Sequence, residues 1–176
     1  KLLIFSNGAY GNRMGVIADR HGIAYDMVAF EETMQVDPEV VEKNLSRHGD
    51  VTHVAFVHCE TTTGILNPLP ELARVVKAHG KKLIVDAMSS FGGVPLDVQE
   101  LGIDFLISSA NKCIQGVPRF RLYHRPPQVT DGLQGRVAFF VARHLRPVGD
   151  DGKRAWQVAF HLATTWYAPS RKLWKS

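Results

Sequence analysis

Short apolar runs and amphipathic stretches alternate along the first 118 residues of the chain. The apolar runs are typical of buried strands and lie at 2–6, 26–30, 53–58, 82–86 and 105–108. Between them, apolar residues recur at the spacing of one helical face, which predicts helices over 12–20, 38–48 and 69–79. Asp37 followed by Pro38 is typical of the start of a helix.

This alternation predicts a mainly parallel, doubly wound α/β sheet with flanking helices. In such sheets, ligands bind beyond the carboxyl ends of the strands. The segments that follow three of the predicted strands are therefore the candidate ligand-binding loops: 7–12, 60–64 and 86–90.

The composition narrows the class of protein. With 176 residues and a net charge of +4, the chain is large enough for one ordinary globular domain. No apolar run approaches the roughly 20 residues of a membrane span, so we expect no membrane partner. The two cysteines, Cys59 and Cys113, form no close-spaced metal or redox motif. We therefore expect a reduced, cytoplasmic protein without a metal site.

The composition changes abruptly near residue 119. Residues 119–176 hold 11 of the 21 Lys and Arg, only three acidic residues, no Glu and all three Trp. This segment carries +8 and residues 1–118 carry −4. A basic segment of this kind could bind nucleic acid. We favour a different explanation, given below, and expect no nucleic-acid partner.

Two residues that follow predicted strands suit the chemistry of pyridoxal 5′-phosphate (PLP). Asp86 ends a strand in LIVDAMSS, and Lys112 follows the next strand in SSANKCIQG. Taken singly, Asp86 could cap a turn and Lys112 could be a solvated surface lysine. Together they supply the lysine amine that forms a Schiff base with PLP and the acid that keeps its ring nitrogen protonated. Lys112, once released by substrate, would be the base for the Cα proton.

Three segments resemble the class V branch of the fold-type I PLP-dependent aminotransferases. They are HCETTTG (58–64), VDAMSSFGG (85–93) and SSANKCIQGVP (108–118). The resemblance covers residues 1–118 and implies the large domain of a fold-type I PLP-dependent transferase, in incomplete form. It also implies that Lys112 is the Schiff-base lysine and that Asp86 is the partner of the ring nitrogen.

The same resemblance suggests further cofactor contacts. Tyr10 would stack on the ring, Thr62 and Thr63 would lie near the ring or its oxygen, and Asn111 would help to hold the phosphate. Tyr10 could instead be a core residue, and the two threonines could satisfy their own turn. We expect His58 and Cys59 to pack in the core or behind the site rather than to bind a ligand.

Within the class, the similarity is greatest to enzymes that act on 2-aminoethylphosphonate and pyruvate. It implies a homodimeric enzyme of phosphonate catabolism that makes phosphonoacetaldehyde and L-alanine by a ping-pong scheme. Two alternatives stay open. One is another class V aminotransferase, such as an alanine–glyoxylate type, and the other is a non-catalytic remnant of such an enzyme.

The resemblance stops at Pro118, where the composition also changes. We expect 1–118 to be a partial PLP-binding large domain and 119–176 to be an aberrant, out-of-frame segment. Read one base later, codons for 119–128, 138–149 and 156–164 can spell runs that are similar to the family's own continuation, in its order. Out-of-frame residues have no reason to keep the hydrophobic period of a core. We therefore expect that segment to pack poorly and the chain as written to have little activity.

Overall fold

The computed structural model describes residues 1–116, together with the backbone of two short strands at 121–124 and 138–140. The elements follow one another in the order β1 (Leu2–Ser6), α1 (Ala9–Arg20), β2 (Tyr25–Ala29), α2 (Pro38–Arg47), β3 (His53–Val57), α3 (Leu69–Ala78), β4 (Lys82–Asp86), β5 (Phe105–Ser109), β6 (Arg121–His124) and β7 (Ala138–Phe140). The seven strands form one sheet in the order β2-β1-β3-β4-β5-β6-β7.

The first five strands are parallel, as the alternating pattern predicted. β1 pairs with both β2 and β3, β3 with β4, and β4 with β5, all in parallel. The backbones of β6 and β7 continue the sheet in antiparallel pairings. From β1 the chain passes first to β2 on one side and then to β3 on the other. The gap between the ends of β1 and β3 is therefore the point where the winding direction reverses.

Helices cover both faces of the sheet. Successive strand residues point to opposite faces, so Leu3 and Phe5 pack with α2 and α3, whereas Leu2 and Ile4 pack with α1. On the α1 face, Met14 and other apolar residues of the helix meet the sheet. Both faces are thus buried, which explains why the strands read as nearly continuous apolar runs.

The predicted boundaries agree with the structure to within one residue except at the start of α1. The strands at 2–6 and 82–86 match their predictions, and Asp37 caps α2 by accepting a hydrogen bond from the Glu39 N–H at 2.8 Å. By contrast, α1 begins at Ala9 rather than at the predicted residue 12, and its N-cap, Gly8, has no side chain to cap it. The group that stabilises this end of α1 comes from another part of the chain and is described below.

The predicted out-of-frame segment, 119–176, lies outside the described residues except for the backbone of β6 and β7. Within the described part of the chain, no helix is both long and apolar enough to cross a membrane.

Truncation of a buried leucine should destabilise this fold far more than the same change on the surface. Leu72 on α3 is 0 % exposed, whereas Leu66 is 38 % exposed. We expect Leu72→Ala to lower the free energy of unfolding by about 2–5 kcal/mol. Leu66→Ala, the matched control, should change it by less than about 1 kcal/mol. Urea unfolding followed by circular dichroism measures both, and equal losses would contradict the packing described here.

Candidate active site

The loops that carry the candidate residues meet at the carboxyl edge of the parallel strands. In the strand register, Val57 is opposite Asp86, and Asp86 is opposite Ile107. The segments that begin at residues 7, 58, 86 and 110 therefore leave the sheet side by side. Parallel pairing thus gathers Tyr10, Thr62, Asp86 and Lys112 at one edge of the sheet although they are distant in sequence.

Asp86 is a buried carboxylate with one oxygen unpaired. The residue is 1 % exposed. Its Oδ1 accepts a hydrogen bond from the Met88 N–H at 2.9 Å. Its Oδ2 is buried and has no hydrogen-bond partner among the described residues. Burial raises the pKa of Asp86 to about 7, with a smaller contribution in the same direction from the negative charge of Glu60.

His58 lies next to Asp86 and fixes its backbone. The His58 N–H donates to the Asp86 carbonyl at 2.8 Å, and His58 Nδ1 is 2.9 Å from Ser90 Oγ. The imidazole is buried, and burial lowers its pKa. These two hydrogen bonds make His58 a support for the ends of β3 and β4.

Lys112 lies in the turn that follows β5. Its side chain is exposed, and its carbonyl accepts the Gln115 N–H at 2.8 Å. The neighbouring Cys113 Sγ contacts the Ser89 carbonyl at 3.3 Å, which ties the lysine turn to the loop after β4. Asn111, on the other side of Lys112, accepts a hydrogen bond from Ser109 Oγ at 2.8 Å. The amine is therefore presented at the sheet edge by a turn that its neighbours anchor.

Tyr10 and Thr62 are joined through a carboxylate that the sequence analysis did not single out. Glu60 Oε2 accepts the Tyr10 N–H at 3.2 Å, and Glu60 Oε1 accepts the Thr62 hydroxyl at 3.1 Å. The Tyr10 side chain is partly buried and Thr62 is exposed. The Thr63 hydroxyl accepts the Ile65 N–H at 3.3 Å, which satisfies the turn itself.

Glu60 could have been suspected from the sequence in one respect. It is an acid that lies three residues beyond the end of the buried strand β3, and such a residue is rarely buried without a partner. No local pattern indicates that the partner is the start of α1, 50 residues earlier in the chain.

The chemistry of these groups fits PLP. A buried carboxylate with an unpaired oxygen is costly unless a donor or a cation meets it. A protonated ring nitrogen is such a donor, and Lys112 offers an exposed amine at the same edge. Among the described residues there is no cluster of three metal-ligating side chains.

Comparison with known proteins agrees with this fold. The model of the family described as "Aminotransferase class-V" matches residues 4–117. The chain belongs to the class-V aminotransferase family.

The curated relatives of this chain share one enzyme name within that family. The chain is 75 % identical over 120 residues to a 2-aminoethylphosphonate–pyruvate transaminase of Bacteroides fragilis, covering 68 % of this chain and 33 % of the relative. It is 52 % identical over 137 residues to the protein of that name from Vibrio cholerae, covering 78 % of this chain and 37 % of the relative. The chain therefore spans about a third of the length of these curated relatives.

Solved structures show the same architecture. A pyridoxamine–pyruvate aminotransferase from Mesorhizobium loti is 29 % identical, with a TM-score of 0.68 over 72 % of this chain and 32 % of that chain. An alanine–glyoxylate aminotransferase from Nostoc sp. is 25 % identical, with a TM-score of 0.69 over 97 % of this chain and 41 % of that chain. The expected fold-type I transferase fold is thereby confirmed.

Replacing Asp86 by Asn should remove a pH dependence from the free energy of unfolding. Because burial raises the native pKa to about 7 from 3.8, the folded chain keeps a proton that the unfolded chain releases. This group therefore makes the native state less stable as the pH rises from about 4 to about 7. Over that window, we expect the free energy of unfolding of the wild type to fall by on the order of 2–4 kcal/mol relative to that of Asp86→Asn.

Urea unfolding at a series of pH values measures this difference. Glu32→Gln, which neutralises an exposed carboxylate, is the control and should follow the wild type. Parallel profiles for the wild type and Asp86→Asn would contradict the assignment of a perturbed, buried Asp86.

Proposed function

We propose that the chain is the PLP-binding part of a transaminase that moves the amine of 2-aminoethylphosphonate to pyruvate. The products are phosphonoacetaldehyde and L-alanine. The observation that carries the proposal is that two groups lie at the same edge of the sheet. They are the buried carboxylate of Asp86, with one oxygen that has no partner among the described residues, and the exposed amine of Lys112. The choice of substrates is supported by the names of the relatives of 73–75 % identity.

The bound cofactor supplies an electron sink for the C–H bond next to the substrate's amine. Lys112 would hold the cofactor covalently through Nζ, and the same amine, once free, would be the base for the proton on that carbon. Asp86 Oδ2 would accept a hydrogen bond from the ring nitrogen and would stabilise positive charge there. That charge would in turn favour the ionised form of Asp86 and offset the effect of burial on its pKa.

The remaining candidate residues would orient the cofactor. Tyr10, at the start of α1, would stack on the ring and shield one face from water. Thr62 and Thr63 would lie near the ring or its oxygen, and Asn111 would help to hold the phosphate. The hydrogen bonds from Ser109 to Asn111 and from Thr62 to Glu60 support this arrangement, because they fix the two loops from which these side chains project.

We further infer that the working enzyme is a cytoplasmic homodimer. Family membership supports the dimer. The two free cysteines, Cys59 and Cys113, support a reducing compartment.

We also propose that 1–118 is a partial PLP-binding large domain and that 119–176 is read out of frame. The end of the family match at residue 117 supports this division, as does the jump in basic residues beyond 118. Sequencing of the coding DNA across the codons for 116–176 checks it. A base missing or added relative to the intact gene is expected, and an in-frame match to an intact gene would overturn it.

Covalent trapping tests the proposed role of Lys112. At equimolar PLP, borohydride reduction should place one pyridoxyl group on the peptide that contains Lys112, as mass spectrometry would show. Lys112→Ala should lose this label at least tenfold, whereas Lys43→Ala, at an exposed position on α2, should keep it. Labelling spread evenly over surface lysines would contradict the assignment.

The amine substrate is tested on the same label. 2-Aminoethylphosphonate should lower labelling of Lys112 several-fold, because its amine displaces that of Lys112. If L-alanine lowers the labelling and 2-aminoethylphosphonate does not, the chain belongs instead with the alanine–glyoxylate type.

A further inference from the structure

Glu60 is a fully buried carboxylate, and no Lys, Arg or His of the described residues forms an ion pair with it. It is 0 % exposed. A buried charge of this kind is tolerated only where hydrogen bonds replace its hydration. Glu60 receives them from the backbone N–H groups of Tyr10 and Gly11 and from the hydroxyl of Thr62.

Two of these donors, the N–H groups of Tyr10 and Gly11, belong to the first turn of α1. The N–H groups at the start of a helix have no partner within the helix, and the helix dipole favours a negative charge there. Gly8 supplies no side-chain cap. Glu60 therefore caps α1 from a loop that follows a different strand.

The bridge crosses the gap where the winding of the sheet reverses. α1 follows β1 and Glu60 follows β3, and β1 and β3 are neighbours in the sheet. This gap is where ligands of doubly wound sheets bind. One carboxylate thus sets the positions of Tyr10 on one side of the gap and of Thr62 on the other.

Gly8 leaves the space that Glu60 occupies. A Cβ added to Gly8 would overlap Glu60 Cγ and lie 2.6 Å from its Cδ. The backbone of Gly8 is extended, with φ near 171°, so any residue could adopt it. The absence of a side chain is needed for the close approach of Glu60 and not for the local conformation.

We propose that Glu60 is a positioning residue of the cofactor site, which holds Tyr10 against the ring and Thr62 beside it from opposite sides of the β1–β3 gap. This role rests on the proposed function, since Tyr10 and Thr62 are taken as cofactor contacts. Glu60 itself touches neither cofactor nor substrate in this account.

Glu60→Gln in the full chain is the first test. It keeps the size of the side chain but removes its negative charge and leaves one acceptor oxygen where there were two, so the bonds to α1 are no longer charge-assisted. We expect about tenfold weaker PLP binding, since the loss of one charge-assisted hydrogen bond is of this order. The visible circular dichroism of bound PLP should also weaken, because the Tyr10 stack is loosened. Glu32→Gln is the matched control and should change neither.

A double-mutant cycle separates positioning from general destabilisation. If Glu60 acts through Tyr10, then Glu60→Gln should weaken PLP binding much less in a Tyr10→Ala background. Equal weakening in both backgrounds, or unchanged binding in Glu60→Gln, would overturn the proposal. Gly8→Ala crowds Glu60 without altering its charge and should weaken PLP binding in the same way. It replaces Glu60→Gln as the test if that variant does not fold.

A measurement on the chain without PLP separates the test of the Glu60 cap from the test of PLP binding at Lys112. In the PLP-free chain, hydrogen exchange of the Tyr10 and Gly11 amides should be faster in Glu60→Gln or Gly8→Ala than in the wild type. Unchanged exchange would overturn the cap. Failure of the wild type to bind PLP at Lys112 would instead contradict the proposed function and leave the cap to be judged by exchange alone.

Discussion

The parallel pairing of β1, β3, β4 and β5 is the constraint on which the rest of the structure depends. It sends every connecting segment out of the same edge of the sheet, so that residues from four distant parts of the sequence meet there. The register opposes Val57 to Asp86 and Asp86 to Ile107. A slip of one residue in β4 would turn Asp86 to the other face and replace it with an apolar side chain. The apolar cores on both faces oppose such a slip, since each strand buries two sets of side chains.

Two buried carboxylates at this edge differ in how well their oxygens are hydrogen-bonded. Glu60 is surrounded by donors from α1 and from its own loop. Asp86 has a donor for one oxygen only among the described residues, and burial raises its pKa to about 7. A protein that carried Asp86 for stability alone would gain by replacing it with an uncharged residue. The unpaired oxygen is therefore best explained by a ligand that supplies a donor there.

The sequence predicts most of the sheet and proposes two residues for the centre of the site. Periodicity is sufficient for β1, β4 and α3, because their patterns are local. Asp86 and Lys112 stay predictions; they were chosen because an acid and an amine at strand ends suit PLP and because the segments around them resemble class V. The true start of α1 and the role of Glu60 could not be predicted, since Gly8 carries no local signal and the capping group lies 50 residues away from Tyr10. Such interactions depend on strand order, which a single sequence does not specify.

The pairing of Asp86 with the ring of PLP is the central claim, and nitrogen NMR of the bound cofactor tests it most directly. PLP labelled with 15N in the ring would be bound to the wild type and to Asp86→Asn. We expect the wild-type ring nitrogen to keep the chemical shift of a protonated ring up to at least pH 8, and that of Asp86→Asn to move to the shift of the neutral ring. Indistinguishable shifts in the two proteins would contradict the assignment of Asp86 and, with it, the account of this edge as a PLP site.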